Sequence, residues 1–210
     1  MKIVFDQVSF TYKYGAPPII NNFSFEANSG ESTVIKGPSG SGKTTIFRLL
    51  LGFEQPDSGT ISINQKTIEA QAVDELRKQT AWLPQDLDLG EGKVKDLFYF
   101  PYTFKKNSSD RPAKESIMET FLKLDLPEQC LEESFDDLST GQRQRVGLAM
   151  CYHLNKPIIL LDEPTSALDD AVKQKVRKLL FADSSKLILS TSHDPWWIDA
   201  CDQVIDLKSN

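Results

Sequence analysis

The stretch GPSGSGKT at residues 37–44 has the residue types and the spacing of a loop that binds phosphate. It fits the pattern G-x-x-x-x-G-K-[ST], with Gly37, Gly42, Lys43 and Thr44 at the fixed positions, between a predicted strand and a predicted helix. Glycines let backbone N–H groups turn towards a phosphate because no Cβ blocks the approach. The lysine can neutralise β- and γ-phosphate oxygens, and the threonine hydroxyl can bind Mg²⁺. The stretch therefore predicts a nucleotide site.

Two adjacent acids, Asp162 and Glu163, follow the apolar residues of IILLDEP at 158–164. Because successive side chains of a strand point to opposite faces, the two acids need not share a role. Asp162 suits the outer ligand sphere of Mg²⁺, and Glu163 can orient or deprotonate a water that attacks the γ-phosphate. The alternative is a solvated Asp-Glu turn, but the apolar strand and the upstream phosphate loop favour catalysis.

Two isolated polar residues follow other predicted strands. Gln85, in AWLPQD, could contact Mg²⁺ or water, and His193, in STSHD, could hydrogen-bond the γ-phosphate. A lone glutamine or histidine is more often structural or simply exposed. Both assignments therefore depend on the motifs around them.

A second turn suited to phosphate lies in DDLSTGQRQR at 136–145, where Ser139, Gly141 and Gln142 precede two arginines. One globular unit rarely needs two sites for one triphosphate. The residues alone leave open which phosphate this turn binds.

The elements that position these residues alternate between strands and helices. Behind the phosphate loop, Ile46, Leu49, Leu50 and Phe53 are spaced as the buried face of one helix. Residues 86–137 have helical patterning at Ile117, Phe121, Leu122 and Leu124 and no convincing strand. Strands are predicted at 3–10, 19–27, 32–37, 157–162, 186–191 and 203–207, and helices at about 140–154, 169–181 and 195–201. This alternation predicts a mainly parallel sheet covered on both faces.

Composition is that of a soluble protein with an apolar core. The 210 residues carry a net charge of −6, so nothing in the charge suggests a protein that coats nucleic acid. Cys130, Cys151 and Cys201 match no metal or redox spacing and are expected to be reduced packing residues in the cytosol. No signal peptide and no apolar run of membrane-spanning length is present, so we expect no direct membrane insertion.

Together, these motifs resemble those of the nucleotide-binding subunit of an ABC (ATP-binding cassette) transporter, in the family's order and over essentially the whole chain. GPSGSGKT resembles the Walker A loop, Gln85 the Q-loop, LSTGQ the signature, IILLDEP the Walker B strand, SALD the D-loop and His193 the H-loop. Tyr12 resembles the aromatic residue that stacks on adenine, with Tyr14 as the competitor and a half-buried strand tyrosine as the plain alternative.

The resemblance implies an α/β fold of the P-loop NTPase, ABC ATPase type: a mainly parallel sheet core, an N-terminal antiparallel β subdomain and an inserted helical subdomain. It implies one domain over 1–210, with the core and β subdomain at 1–85 and 138–210 and the helical subdomain at about 86–137. The implied cofactors are ATP and Mg²⁺, the latter near Thr44, Gln85 and Asp162. The remaining nucleotide contacts would be Pro38, Ser39, Gly40, Ser41 and Thr45.

The resemblance also implies an ATPase that forms a head-to-tail homodimer around two ATP molecules. Ser139, Gly141 and Gln142 would then bind the γ-phosphate held by the partner's Walker A loop, and Asp169 would lie at the dimer seam. The implied partner is an integral membrane permease, which would hold the protein at the inner face of the cell membrane. No nucleic acid partner is expected.

One residue departs from the family's usual signature, LSGGQ: its first glycine is replaced by Thr140. A β-branched residue tolerates positive φ poorly. We expect residue 140 to lie in the first helical turn, with negative φ, where threonine is acceptable. A positive φ there would weaken phosphate binding.

The predicted helical insert contains LFYFPYTF at 97–104, with five aromatic residues in eight. An exposed aromatic patch would be a groove for the permease, and a buried one would be the core of the insert. Both roles are expected within this segment.

Two other functions remain open at this point. An ABC-type ATPase without a permease would share all the motifs. A small-molecule kinase would share the phosphate loop, but it would not need LSTGQ.

Overall fold

The computed structural model describes residues 1–68 and 70–207 and contains strands and helices in alternation. The strands are β1 (Lys2–Phe10), β2 (Ile20–Asn28), β3 (Ser32–Lys36), β4 (Ser58–Ile63), β5 (Lys66–Thr67), β6 (Thr80–Leu83), β7 (Ile158–Asp162), β8 (Leu187–Ser192) and β9 (Gln203–Asp206). The helices are α1 (Lys43–Leu50), α2 (Ala70–Lys78), α3 (Val94–Tyr99), α4 (Lys114–Lys123), α5 (Thr140–Leu154), α6 (Asp170–Leu180) and α7 (Pro195–Asp199).

These strands form two sheets. An antiparallel sheet has the order β2-β1-β4-β5, and a parallel sheet has the order β6-β7-β8-β3-β9. Asp162 pairs with Thr191 at the carboxyl end of β7, and Lys36 pairs with Ser192 at the carboxyl end of β3. The residues that follow β3, β7 and β8 therefore meet at one edge of the parallel sheet, where ligands of open α/β sheets bind.

Both faces of the parallel sheet are buried, as its apolar strands predict. Side chains of β7 alternate between two cores. Ile159 and Leu161 pack with the helical region, α5 and α6, whereas Ile158 and Leu160 pack with α1 and the antiparallel sheet. The sheet thus separates the two cores.

Between β6 and α5 the described chain contains α3, α4 and short 3-10 turns, with one isolated bridge between Lys93 and Ser134. The aromatic segment at 97–104 divides as expected, because Phe98 and Tyr102 are buried whereas Phe100 and Phe104 are exposed. The division of the chain into a core and a helical subdomain at about residues 86 and 137 stays a prediction.

One apolar position, Phe53, was wrongly predicted to lie on the buried face of a helix, and one residue of the predicted helical pattern, Leu122, is exposed. Phe53 lies beyond the end of α1, because Gly52, at φ 66°, ends the helix in a Schellman motif in which the Phe53 N–H donates to Arg48 O. Its ring is exposed beneath the guanidinium of Arg77. Leu122 lies on the outer face of α4 and is also exposed.

The bounds predicted for the helix that follows the signature turn, α5, are confirmed. The three cysteines form no disulfide. Burial raises the pKa of the Cys151 thiol to about 12, which suits a packing residue. In the part of the chain that the structure describes, no helix combines the length and hydropathy needed to cross a bilayer.

Candidate functional site

The phosphate loop links the end of β3 to the start of α1. Gly42 caps α1 with φ 96°, a conformation that a residue with a Cβ adopts only at a cost. The loop leaves the first N–H groups of α1 directed at the space where a phosphate would lie. The glycine at this fixed position is therefore required by the backbone.

Lys43, the first residue of α1, is buried within this loop. Its Nζ donates hydrogen bonds to Gly37 O at 2.9 Å and Pro38 O at 3.2 Å, and lies 3.3 Å from Oε1 of Glu163. The ammonium thus points into the loop, away from bulk water. A phosphate oxygen entering the loop would meet a cation that is already desolvated.

Glu163 follows β7 and is buried at the edge of the parallel sheet. Its backbone has φ 49°, a strained value for a residue other than glycine, and its N–H donates to Thr191 O at 3.1 Å. Oε2 lies 2.9 Å from Nδ1 of His193 and accepts from the His193 backbone N–H at 3.3 Å. The geometry thus joins Glu163 to Lys43 on one side and to His193 on the other, beside the phosphate loop.

Asp162 is almost fully buried beneath the loop, and its two oxygens differ. Oδ1 accepts from the Thr191 hydroxyl, whereas Oδ2 has no hydrogen-bond partner among the residues that the structure describes. Burial raises the pKa of Asp162, and hydrogen bonding by Thr191 together with the nearby Thr44 hydroxyl opposes that rise. A buried acceptor without a partner is costly and fits a site for a cation or its bound water.

This orphaned oxygen supports the predicted Mg²⁺ site. Thr44 and Gln85 line the adjacent cavity and offer the hard oxygen donors that Mg²⁺ prefers. The hydroxyl of Ser41, in the same loop, is also buried, and no described residue hydrogen-bonds it. When bound, Mg²⁺ would neutralise charge on the β- and γ-phosphates.

A cavity of about 520 Å³ joins these residues. It is lined by Tyr12, Ile19, Pro38, Ser39, Gly40, Gly42, Lys43, Thr44, Thr45, Gln85, Glu163 and His193. The Tyr12 hydroxyl hydrogen-bonds Thr45 Oγ1 at 3.0 Å, and its ring packs edge-on against Phe10. Tyr14 is fully exposed and does not line the cavity. Of the two tyrosines, Tyr12 therefore has the position that adenine stacking needs.

The signature turn lies outside this cavity. Ser139 caps α5, with its hydroxyl accepting from Gln142 N and its own N–H donating to Gln142 Oε1. Thr140 is the first helical residue and has no positive φ, as expected. Gly141 is required by close approach, because a Cβ there would lie 2.8 Å from Ala167 O. Asp169 also lies outside the cavity, as the cap of α6.

Gln144 was missed by sequence reasoning. It is buried, and its side-chain amide bonds to Glu163 O, Ser166 Oγ and Ala167 N at 2.8–3.3 Å. The only signal was its spacing of one turn beyond Gly141 on the same helix. That spacing alone does not show that its side chain is buried.

The fold and this cavity define a P-loop nucleotide-binding ATPase. The family model described as ABC transporter matches residues 20–166, so the chain belongs to the ABC transporter family and is an ATPase subunit or domain of that class that uses ATP and Mg²⁺. The fold class predicted from the sequence is confirmed.

Two relatives with similar sequences are ATP-binding proteins of transporters. The chain is 30% identical to the probable iron export ATP-binding protein FetA of Escherichia coli, covering 94% of this chain and 88% of that protein. It is 35% identical to a probable ABC transporter ATP-binding/permease protein of Haemophilus influenzae over 97% of this chain, but spans only 38% of that protein.

Solved structures of ABC transporter proteins have the same fold as this chain. The dimeric structure of MJ0796, a bacterial ABC transporter cassette, superposes on this chain with a TM-score of 0.83 at 27% identity. The match covers 99% of this chain and 94% of the MJ0796 chain. A bacterial Atm1-family ABC exporter with ATP bound also superposes at 0.83, with 28% identity; the match covers 98% of this chain and 36% of the exporter.

Proposed function

We propose that this chain powers substrate translocation by a separate membrane permease, through ATP-driven closure of a head-to-tail dimer. The single observation that carries the proposal is the separation of two phosphate-binding elements in one chain. The Walker A cavity contains Lys43, Glu163 and His193, whereas Ser139 and Gly141 of the signature lie outside it. A second copy, turned head to tail, would bring its signature to this cavity.

Each side chain then has a role in the closed site. Lys43, with the loop amides of residues 38–44, would bind the β- and γ-phosphates. Glu163 would orient or deprotonate the attacking water, and His193 would hold the Glu163 carboxylate and contact the γ-phosphate. Gln85 would contact the water or metal, and Tyr12 would stack on adenine.

Across the dimer, the hydroxyl of Ser139, the backbone N–H of Gly141 and the side chain of Gln142 would bind the partner's γ-phosphate. Asp169 would lie near the seam. ATP then stabilises the dimer because it contacts both copies, and hydrolysis removes that link. The dimeric arrangement of the related cassette MJ0796 supports this reading.

The permease would dock on the helical region. Phe100 and Phe104 are 59% and 56% exposed and stack edge to face, so together they form an apolar patch on the surface. Such anchors are frequent at the centre of protein interfaces. Through this contact the chain would lie at the cytoplasmic, inner face of the membrane.

The test uses Glu163→Gln, which keeps the size of the side chain and removes the base. We expect turnover to fall by at least about 100-fold and a stable ATP-bound dimer to accumulate on gel filtration. Lys43→Ala is the matched control and should lose both nucleotide binding and dimerisation. If Glu163→Gln binds ATP and stays monomeric at saturating ATP, the closure mechanism is wrong.

A further inference from the structure

The side chain of Gln144 connects the start of α5 to the segment that carries the catalytic glutamate. Its Nε2 donates to Glu163 O at 2.8 Å and to Ser166 Oγ at 3.3 Å, and its Oε1 accepts from Ala167 N at 3.1 Å. Gln144 is 8% exposed, so these bonds are shielded from water. One amide thus holds both ends of the turn at 163–167.

The hydrogen bond to Glu163 O stabilises a backbone conformation that is unfavourable for a residue other than glycine. Glu163 has φ 49°, and such a conformation persists only where its surroundings hold it. The Glu163 N–H is fixed by Thr191 O on one side, and its carbonyl by Gln144 on the other. These two bonds set the direction in which the Glu163 carboxylate leaves the chain.

The same turn is in contact with the signature. Gly141, one helical turn before Gln144, lies so close that a Cβ would come within 2.8 Å of Ala167 O. The first two turns of α5 therefore touch the 163–167 turn at two places. A shift of the signature would move the backbone of Glu163 with it, because both contacts are tight.

We propose that Gln144 is a positioning residue, which holds Glu163 in its hydrolytic geometry and links that geometry to the signature turn of the same chain. The inference rests on the proposed dimer, in which this signature turn binds the partner's nucleotide. Binding of ATP in one site would then set the base of the other site. Gln144 itself does not line the nucleotide cavity.

The test is Gln144→Met, which keeps the length of the side chain and removes all of its hydrogen bonds. We expect kcat for ATP hydrolysis to fall about tenfold while KM for ATP stays within about threefold, since no nucleotide-binding group is changed. Thr120→Val is the matched control, because it removes a different buried hydrogen-bonding group. The Thr120 hydroxyl bonds Ser116 O and His153, and His153 lies on α5 far from the signature. The Thr120→Val variant should keep wild-type kcat.

A second variant, Gln144→Glu, separates positioning from loss of packing. The introduced carboxylate can still accept from Ala167 N, but it repels Glu163 O until it is protonated. We therefore expect its kcat, relative to wild type, to be lowest near pH 8 and to recover as the pH falls, because the protonated carboxyl can donate to Glu163 O. A structural defect would not recover in this way.

The outcomes are distinct. Any of three results overturns the role of Gln144. Gln144→Met could raise KM with unchanged kcat, or Thr120→Val could lower kcat equally. The third is a kcat of Gln144→Glu, relative to wild type, that does not change with pH. Failure of Glu163→Gln to dimerise would instead overturn the proposed function. A Glu163→Gln/Gln144→Met double variant that still dimerises with ATP, while Gln144→Met alone turns over slowly, supports both.

Discussion

Lys43 and Glu163 form a buried ion pair across the nucleotide cavity, with Nζ 3.3 Å from Oε1 and side chains only 9% and 5% exposed. A γ-phosphate needs the same lysine. Nucleotide entry would therefore give Lys43 a second anion and loosen its hold on Glu163, which would leave the carboxylate freer to contact water. In the proposed mechanism, one ammonium group would then link recognition of the phosphate to preparation of the base.

The position of Tyr12 predicts which tyrosine stacks on adenine. Tyr12→Ala should weaken ATP binding about tenfold, because loss of an aromatic platform costs about 1–3 kcal/mol per base. Tyr14→Ala is the matched control, since Tyr14 lies outside the cavity, and it should leave the Kd within about twofold. Titration with a fluorescent ATP analogue measures both. Equal effects of the two substitutions would argue against stacking on Tyr12.

The signature turn allows a paired test of two adjacent residues, Thr140 and Gly141. Gly141→Ala places a methyl group 2.8 Å from Ala167 O and should lower the free energy of unfolding by about 1–3 kcal/mol and slow hydrolysis. Thr140→Gly should change stability by only about 0.5 kcal/mol, since residue 140 is an ordinary first helical position. Chemical denaturation and phosphate release measure these effects. A large gain in activity from Thr140→Gly would show that threonine weakens phosphate binding.

His153 should make the fold sensitive to mild acid. Burial, and secondarily the charge of Lys123, lowers the pKa of His153 to about 4. Between that value and about 6.5 the unfolded chain binds a proton that the native chain excludes, so stability is lost as the pH falls through this range. His153→Gln should remove about 1–2 kcal/mol of the decline in unfolding free energy between pH 7 and pH 5. His193→Gln is the control; if it removes the decline equally, His153 is not its source.

Phe100 and Phe104 are expected to anchor the permease. Changing both to serine should reduce co-purification with an integral membrane protein by at least about tenfold while basal ATP hydrolysis stays within about twofold. Leu122→Ser is the matched control, because Leu122 is comparably exposed, at 57%, on the outer face of α4. Retention of the membrane protein by the double variant would place the docking surface elsewhere. Absence of any such protein with the wild-type chain would favour an ATPase without a permease.

Most of the fold and the cavity could be predicted from the sequence because both depend on local patterns. Gly42 and its neighbours determine the shape of the phosphate loop. The end of a buried strand determines where Asp162 and Glu163 lie. Phe53 shows the limit of periodicity: its spacing fits α1, but the positive φ of Gly52 ends the helix first. Helix α2 was not predicted, because few apolar residues mark its buried face.

Gln144 could not be assigned because its role comes from contacts between segments about 20 residues apart. A buried amide and an exposed one look alike in sequence. The signature posed the opposite difficulty. Its residue types suit a phosphate, but its position relative to the cavity becomes visible only in the fold, and the second copy that would complete the site lies outside a single chain.

The cavity has walls from both sheets: Tyr12 and Ile19 adjoin the antiparallel sheet, whereas Lys43 and Glu163 adjoin the parallel one. A bound nucleotide would therefore contact both sheets at once and connect them. Amide hydrogens along their seam should exchange more slowly when ATP is present, including those at positions that the nucleotide never touches.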